Sequence, residues 1–353
     1  MAKNIQLNNM TNLPFTIDAL EEMISSGYVR MTKHPERPLY IYNYTAKTQY
    51  EYMWKEVTML CRGLILDEQY EIVARPFTKF FNYGEVLGQQ IPSLPFEVYD
   101  KMDGSLGILY WWSDRPYIAT RGSFMSEQAI KANELLHNKY ANCIDKLDKS
   151  KTYLFEIIYP ENRIVIDYGH KEELVLLAIV DIASGIETPM TDVGFPVVKR
   201  YDGLNDLQAI RELQIEDKEG FIIRFVNGFR VKIKFAEYVR LHRIITQVSS
   251  KTIWEHLRDN LTMNELLEKV PDEFYNWVRT TIDDFWYEYR NIEAEAKAEY
   301  KELEDRKATA FYFLTCKHHP ILFKMYEKRP YDAIIWKMLK PKYERPFRND
   351  LES

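Results

Sequence analysis

The sequence predicts an α+β fold, in which an antiparallel-sheet domain over residues 1–240 is followed by an all-helical domain over 241–353. Two observations carry that expectation. Short β-rich runs succeed one another from about residue 39 to 235 with few helices between them, which favours antiparallel sheet over a doubly wound parallel one. Beyond residue 240 the two-residue alternation disappears and long helical segments replace it, Phe285 to Ala310 among them.

In chain order, strands are expected at Leu39–Tyr42, Gly63–Leu66, Phe96–Tyr99, Leu106–Trp112, Tyr153–Ile158 and Leu174–Val180, each rich in β-branched or aromatic residues. Ser126 to Leu147 reads as a helix, with Ile130, Ala132, Leu135, Leu136 and Ile144 partly at helical spacing. Asn227-Gly228 between two β-rich runs predicts a hairpin with a two-residue type I′ turn. That turn would set Val226 opposite Phe229, Ile223 opposite Lys232 and Phe221 opposite Lys234. Lys232 and Lys234 would then share one face about 7 Å apart, joined there by Glu219. Val231, Ile233, Ile222 and Arg224 would take the other face.

Composition narrows the function classes. Of 353 residues, 47 are Lys or Arg and 53 are Asp or Glu, a net charge of −6, so the chain is no simple polycation for coating nucleic acid. Thirteen glycines and 15 prolines exclude collagen-like or Gly/Pro-rich disordered character. Cys61, Cys143 and Cys316 are too sparse and too far apart for a disulfide framework or CxxC spacing. The seven histidines show no metal-ligand spacing, and Walker A and GxGxxG loops are missing. The start lacks a signal-like apolar stretch, and the longest apolar run, Leu174 to Val180, is far short of the ~20 residues of a membrane span. These features predict a soluble protein of a reducing cytoplasm, with no membrane partner. In the second domain, residues 251–306 hold 8 basic and 15 acidic residues, whereas 307–348 hold 10 basic and 3 acidic. Arg306, Lys307, Lys328, Arg329, Arg345 and Arg348 there lie among Phe311, Tyr312, Tyr326, Tyr331, Trp336 and Tyr343. That texture suits single-stranded nucleic acid, or equally a solvated helix pair around an aromatic core.

Four segments of the first domain could carry chemistry. Lys101, in Asp100-Lys101-Met-Asp103-Gly104, enters a tight turn between two strands and would project its amine at a strand end. Such a lysine is nucleophilic only when neighbouring cations or burial favour its neutral form. Glu156 sits inside an apolar strand, where a carboxylate needs a partner: a ribose hydroxyl, a base or a structural lysine. Glu219, Lys232 and Lys234 converge on the hairpin, or form an incidental ion pair on a solvated sheet face. Arg62, Arg75 and Lys79 stand upstream and could grip phosphates or lie on the surface.

Taken in order, these segments resemble the motifs of covalent nucleotidyltransferases, the superfamily of polynucleotide ligases and capping enzymes. Lys101-x-Asp103-Gly104 resembles motif I, Thr120-Arg121-Gly122-Ser123 motif Ia, Phe155-Glu156 motif III, Glu219-Gly220 motif IV and Lys232-x-Lys234 motif V. The bacteriophage RNA ligase 1 family is more similar still. Cys61-Arg62-Gly63, Arg75-Pro76, Lys79-Phe80-Phe81-Asn82, Ser126-Glu127-Gln128-Ala129 and Asn162-Arg163-Ile164-Val165 resemble its characteristic sequences over about residues 57–235. Arg121 departs from the lysine that the family commonly has.

The resemblance implies an ATP-grasp-like ligase domain, followed by a helical domain that binds and selects RNA. It implies Lys101 as the nucleophile that becomes adenylylated. Arg62, Lys79, Asp103, Gly104, Arg121, Glu156, Glu219, Lys232 and Lys234 would surround ATP, with Tyr42 a further nucleotide-site candidate. Glu219 would position Mg²⁺, for which Mn²⁺ can substitute. The partner would be RNA with 5′-phosphate and 3′-hydroxyl ends, nicked tRNA included, in the cytoplasm of a phage-infected bacterium. Capping enzymes and DNA ligases continue into a β-rich OB-fold, whereas residues 236–260 look helical here. GTP-dependent guanylyl transfer, DNA ligation, a Schiff-base lysine enzyme and a non-catalytic RNA-binding module are the competing readings.

Overall fold

A computed structural model describes residues 12–85, 90–215, 217–236, 238–239, 249–261 and 275–341. The chain divides into two compact units, Met1–Ile245 and Thr246–Ser353. The first is α+β, with three sheets whose strands pair antiparallel except at one edge; the described part of the second is helical.

Four strands form the first sheet in the order β1 (Val29–Lys33), β2 (Leu39–Tyr44), β3 (Arg62–Asp67) and β4 (Ile72–Ala74). Helix α1 (Ile17–Ser25) begins where the Thr16 hydroxyl accepts a hydrogen bond from Ala19 N–H. It buries Ile17, Leu20 and Met23, at helical spacing. After β2 come α2 (Ala46–Tyr50) and α3 (Glu56–Leu60), and Leu20, Met23, Val57 and Leu60 pack with Tyr42, Leu64 and Leu66. Leu39, Ile41 and Ile65 instead enter a second cluster with Ile108, Leu154 and Val180, as the two-residue strand period requires.

Those last residues belong to the second sheet, in which β7 (Ser105–Trp112), β8 (Arg115–Thr120), β9 (Lys151–Ile158), β10 (Glu173–Asp181) and β11 (Glu187–Thr188) run in the order β11-β10-β9-β7-β8. Its far face, with Leu109, Phe155 and Leu174, is covered by Ala132, Leu135 and Leu136 of α4 (Glu127–His137). The helix expected from Ser126 to Leu147 therefore stops at His137, and Ala141–Lys146 is a separate 3₁₀ turn.

The third sheet comprises β5 (Phe81–Asn82), β6 (Phe96–Asp100), β12 (Arg200–Tyr201), β13 (Gly220–Phe225) and β14 (Arg230–Lys234), ordered β12-β6-β13-β14-β5. Strand β5 pairs parallel with β14, which sets Asn82 beside Lys232. Helix α5 (Leu207–Glu212) contributes Ile210 to its core.

The β13–β14 hairpin departs from the expected register by one residue. Phe225 N–H bonds Phe229 O, leaving the three-residue loop Val226-Asn227-Gly228, and Gly228 takes the positive φ (83°) such a loop needs. Asn-Gly suits this three-residue loop as well as the two-residue one. Ile222 therefore lies opposite Lys232, and Phe221 opposite Ile233. Ile222 and Arg224 fall on the lysine face, while Phe221 and Ile223 join Val231 and Ile233 in the core.

In the second unit the described helices are α6 (Ser250–Arg258), α7 (Tyr275–Glu299), α8 (Arg306–Thr315), α9 (His319–Tyr326) and α10 (Asp332–Met338). The single helix expected across Phe285–Ala310 is broken: α7 ends at Glu299, and the Asp305 side chain caps α8 by accepting from Ala308 N–H at 2.7 Å. Trp254 Nε1–H bonds Trp336 O at 2.8 Å, and Trp336 packs against Trp286 and Tyr289. Of the aromatics among the basic residues, Phe313 and Trp336 are core and Phe311 is exposed. Tyr343, Arg345 and Arg348 lie outside the described residues.

Candidate active site

Lys101 follows the last residue of β6, and its N–H bonds Gly220 O at 3.0 Å. Gly220 in turn pairs with Lys234 on β14. Lys101, Gly220 and Lys234 thus form one row across three strands, where neighbours about 5 Å apart point to one face. The middle position has no side chain, and the preceding carboxylate fills the gap. Glu219 Oε1 lies 2.6 Å from Lys101 Nζ and 3.0 Å from Lys234 Nζ. Strict alternation would have put Glu219 on the core face with Phe221. A φ of 151° at Gly220, open to glycine alone, breaks the alternation there. Of the convergence read from the sequence, Glu219 and Lys234 do meet, with Lys101 as the second partner, although the register assumed for it is not the one found.

Glu219 is only 3% exposed. Burial acts to raise its pKa, but the ammonium groups of Lys101 and Lys234 outweigh it and hold the carboxyl below the usual range. Glu156, on β9, behaves oppositely. Burial pushes it up to about 8, with Glu219 and Asp103 adding to the rise and Lys101 pulling against it. At neutral pH Glu156 is therefore a neutral carboxyl that both donates and accepts hydrogen bonds.

Asp103, 2% exposed, has both carboxylate oxygens engaged. Oδ2 accepts from Val165 N–H (2.8 Å) and Ile166 N–H (2.7 Å), and Oδ1 from the Tyr238 hydroxyl (2.9 Å). Asp103 is thus a brace for the turn that carries Lys101. Gly104 packs directly on β9: a Cβ there would lie 2.7 Å from Ile157 O and 3.1 Å from Glu156 Cγ.

A second cationic group gathers around aromatic rings. Lys79 Nζ, on a residue 3% exposed, stands 5.3, 5.1 and 5.2 Å from the ring centres of Tyr44, Trp54 and Phe81. Arg121 Nη1 donates to the Tyr44 hydroxyl at 3.0 Å, and its guanidinium lies 5.1 Å from the same ring. The Arg62 guanidinium sits 5.4 Å from the Phe80 ring. Lys79 and Arg121 thus meet at Tyr44, whereas Lys232 pairs with β5 on the third sheet. Arg75 belongs elsewhere: its guanidinium is spent on the carbonyls of Asn12, Ile182 and Ala183.

Tyr42 is a correction. It is buried in the cluster of Leu20, Met23 and Leu64, where burial drives its phenol pKa strongly up, and it is a core residue rather than a nucleotide contact. Tyr44 and Trp54 are the rings that stand beside Lys79. The bulge beside Asn43 lies on β3, whose extra residue is Gly63 (φ 99°), and β2 pairs with β1 without a break, so Tyr42 and Tyr44 share one face and differ in what covers it. The signal available in the sequence was the aromatic density of Tyr40, Tyr42, Tyr44 and Trp54 upstream of Lys79.

Among the described residues no cluster of three His, Cys, Asp or Glu side chains forms a self-sufficient metal site. Glu219 fits a different mode, in which a divalent ion is held by one carboxylate together with a nucleotide's phosphates. No described helix is long and apolar enough to cross a membrane.

The profile of an RNA ligase family, that of the phage T4 RNA ligase 1 type, matches residues 60–238. The chain is 28% identical over 246 residues to a candidate bifunctional polynucleotide kinase/RNA ligase of Autographa californica nuclear polyhedrosis virus, covering 61% of this chain and 35% of the relative. It thus spans about a third of that protein. It is 27% identical over 271 residues to a candidate RNA ligase of Thermovibrio ammonificans, covering 71% of this chain and 70% of that one. With an RNA ligase of Rhodothermus phage RM378 it shares 23% identity over 354 residues, covering 76% of this chain and 78% of the phage protein. Among solved structures, a Naegleria gruberi RNA ligase mutant with ATP and Mn is 19% identical at a TM-score of 0.35, covering 42% of this chain and 52% of that one.

Proposed function

Because the chain belongs to the RNA ligase family whose profile spans residues 60–238, we propose that it is an ATP-dependent RNA ligase working through a lysyl-adenylate. The observation that carries the reading is Glu219 Oε1 bridging Lys101 and Lys234 at 2.6 and 3.0 Å, which gathers motifs I, IV and V at one point.

In this reading Lys101 Nζ attacks the α-phosphorus of ATP, the P–O bond to pyrophosphate breaks, and a phosphoramidate with AMP forms. As found here, Lys101 is ion-paired with Glu219, and attack requires that pairing to loosen and the ammonium to give a proton to solvent. Glu219 would hold a divalent ion, Mg²⁺ or Mn²⁺, which when bound would supply charge neutralisation for in-line transfer. Lys232 and Lys234 add fixed positive charge. The neutral Glu156 carboxyl holds a ribose hydroxyl, while Arg62, Lys79 and Arg121 take phosphate oxygens. AMP then passes to an RNA 5′-phosphate, and a 3′-hydroxyl displaces it. Broken tRNA in a phage-infected bacterium is the substrate and setting that best suit those ends.

The test is incubation with a divalent ion and α-labelled ATP or GTP, followed by a denaturing gel. Acid-labile label from ATP alone, lost in Lys101→Ala, supports the reading. Label from GTP moves it to capping chemistry, and an adduct retained in Lys101→Ala removes Lys101 from its role.

A further inference from the structure

Beside the Lys101 turn lies a cavity of about 320 Å³, lined by Asp103 and by the segment from Ile158 to His170 that follows β9. Two rings, Tyr159 and Tyr168, line it together with Arg163, Asp167 and His170. It is tied to the nucleophile's turn, because Asp103 N–H donates to the Tyr168 hydroxyl at 2.9 Å and Asp103 lies two residues beyond Lys101. None of these side chains has a task in adenylyl transfer as set out above, apart from the bracing by Asp103.

We propose that this cavity receives the terminal nucleotide of the RNA strand that carries the 3′-hydroxyl, an assignment that rests on the ligase reading. Its volume is at the small end of ligand sites, which run from about 300 to 1,000 Å³, and suits one nucleoside rather than a duplex. Unpaired RNA bases are held by stacking on aromatic rings and guanidinium planes, the two surfaces offered by Tyr159, Tyr168 and Arg163. Charge selects which end enters. Arg163 Nη1 is paired with Asp167 Oδ2 at 2.9 Å, and Asp103 adds a second carboxylate. A 5′-phosphate carries up to two negative charges and would meet those carboxylates, whereas a 3′-terminal nucleotide carries a single charge, on the phosphodiester that leads away to the rest of the strand, and reacts through a neutral hydroxyl. The cations suited to phosphate, Arg62, Lys79 and Arg121, belong to other segments. In the sealing step the 3′-oxygen forms its bond to the 5′-phosphorus of RNA-adenylate, the P–O bond to AMP breaks, and the hydroxyl proton goes to solvent.

The experiment seals a pre-adenylylated, 3′-blocked RNA donor to a 3′-hydroxyl oligonucleotide without ATP, using the full chain and its Arg163→Ala and Tyr159→Leu variants. The KM for the acceptor is expected to rise roughly 5- to 150-fold in each variant, the range that loss of one stacking contact produces. The KM for the donor and labelling by ATP should stay within about twofold, and Arg163→Lys should recover part of the loss by keeping the charge without the plane. An unchanged acceptor KM, a rise in donor KM instead, or a parallel fall in ATP labelling would each overturn the proposal. A wild-type protein that takes no label and seals no adenylylated RNA would overturn the ligase reading first, and the assignment with it.

Discussion

Asp103 and Tyr238 stand 135 residues apart in sequence and meet in a buried hydrogen bond of 2.9 Å. Tyr238→Phe removes only the hydroxyl and keeps the ring, whose centre lies 5.1 Å from Lys234 Nζ. A hydrogen bond to a charged acceptor contributes about 1.5–3 kcal/mol, so this variant should lose that much stability. Asp103→Ala strands three donors at once, the N–H groups of Val165 and Ile166 and the Tyr238 hydroxyl. At about 1–3 kcal/mol for each unsatisfied donor, and with less than full additivity, a loss of roughly 3–6 kcal/mol is expected. In the alanine background the Tyr238 hydroxyl is a stranded donor, so Tyr238→Phe should there cost nothing or recover up to about 1–3 kcal/mol. Urea unfolding of the four proteins closes a double-mutant cycle, read on the transition that both single variants shift. Its coupling energy should be at least the cost of Tyr238→Phe alone. Single effects that add within about 0.5 kcal/mol would refute Asp103 as the brace of the Lys101 turn.

Other outcomes follow from the same geometry. Gly104→Ala forces a Cβ to 2.7 Å from Ile157 O and 2.8 Å from Ile158 Cδ1; overpacking of about 1–3 kcal/mol and a matching fall in lysyl-AMP formation are expected, and a fully active variant would sink this account of the turn. Glu156 binds a proton more tightly in the folded protein, up to about 8 against an ordinary 4.5, so its contribution to stability falls as pH rises through that window. The stability of wild type minus that of Glu156→Gln should therefore decline there by at most about 1.4 kcal/mol per pH unit, and a flat difference would contradict the raised value. Tyr42→Phe should label with ATP as wild type does, because Tyr42 is core, whereas Tyr44→Ala should require more ATP; the reverse order would restore Tyr42 to the nucleotide site.

What the sequence disclosed best was chemistry held in short local patterns. Glu219, Lys232 and Lys234 were placed on one face from spacing and alternation; Glu219 does meet Lys234, and Lys101 joins them there. The route was wrong in detail, since a three-residue loop at Val226–Gly228 shifts the register by one and the backbone at Gly220 reverses the resulting parity. Two such departures cancel in their effect on Glu219, and neither has a signature that alternation alone reveals. Tyr42 failed for another reason: the side chains that cover it, Leu20 and Met23 of α1, come from a distant part of the chain, beyond the reach of local pattern. Glu156 was marked as costly to bury, and burial is the main cause of its raised pKa; the further rise from Glu219 and Asp103 comes from neighbours that only the tertiary fold brings together.

The ring enclosure of Lys79 has an optical consequence. Trp54 lies with its indole 5.1 Å from the Lys79 ammonium and edge-on to Tyr44 and Phe81 at 5.1 and 5.3 Å. Indole emission responds to the field of a nearby charge, and an anion arriving at Lys79 would change that field. On the proposed reading the signal of Trp54, isolated by subtracting that of Trp54→Phe, would time the arrival of a triphosphate separately from the bond-making that follows.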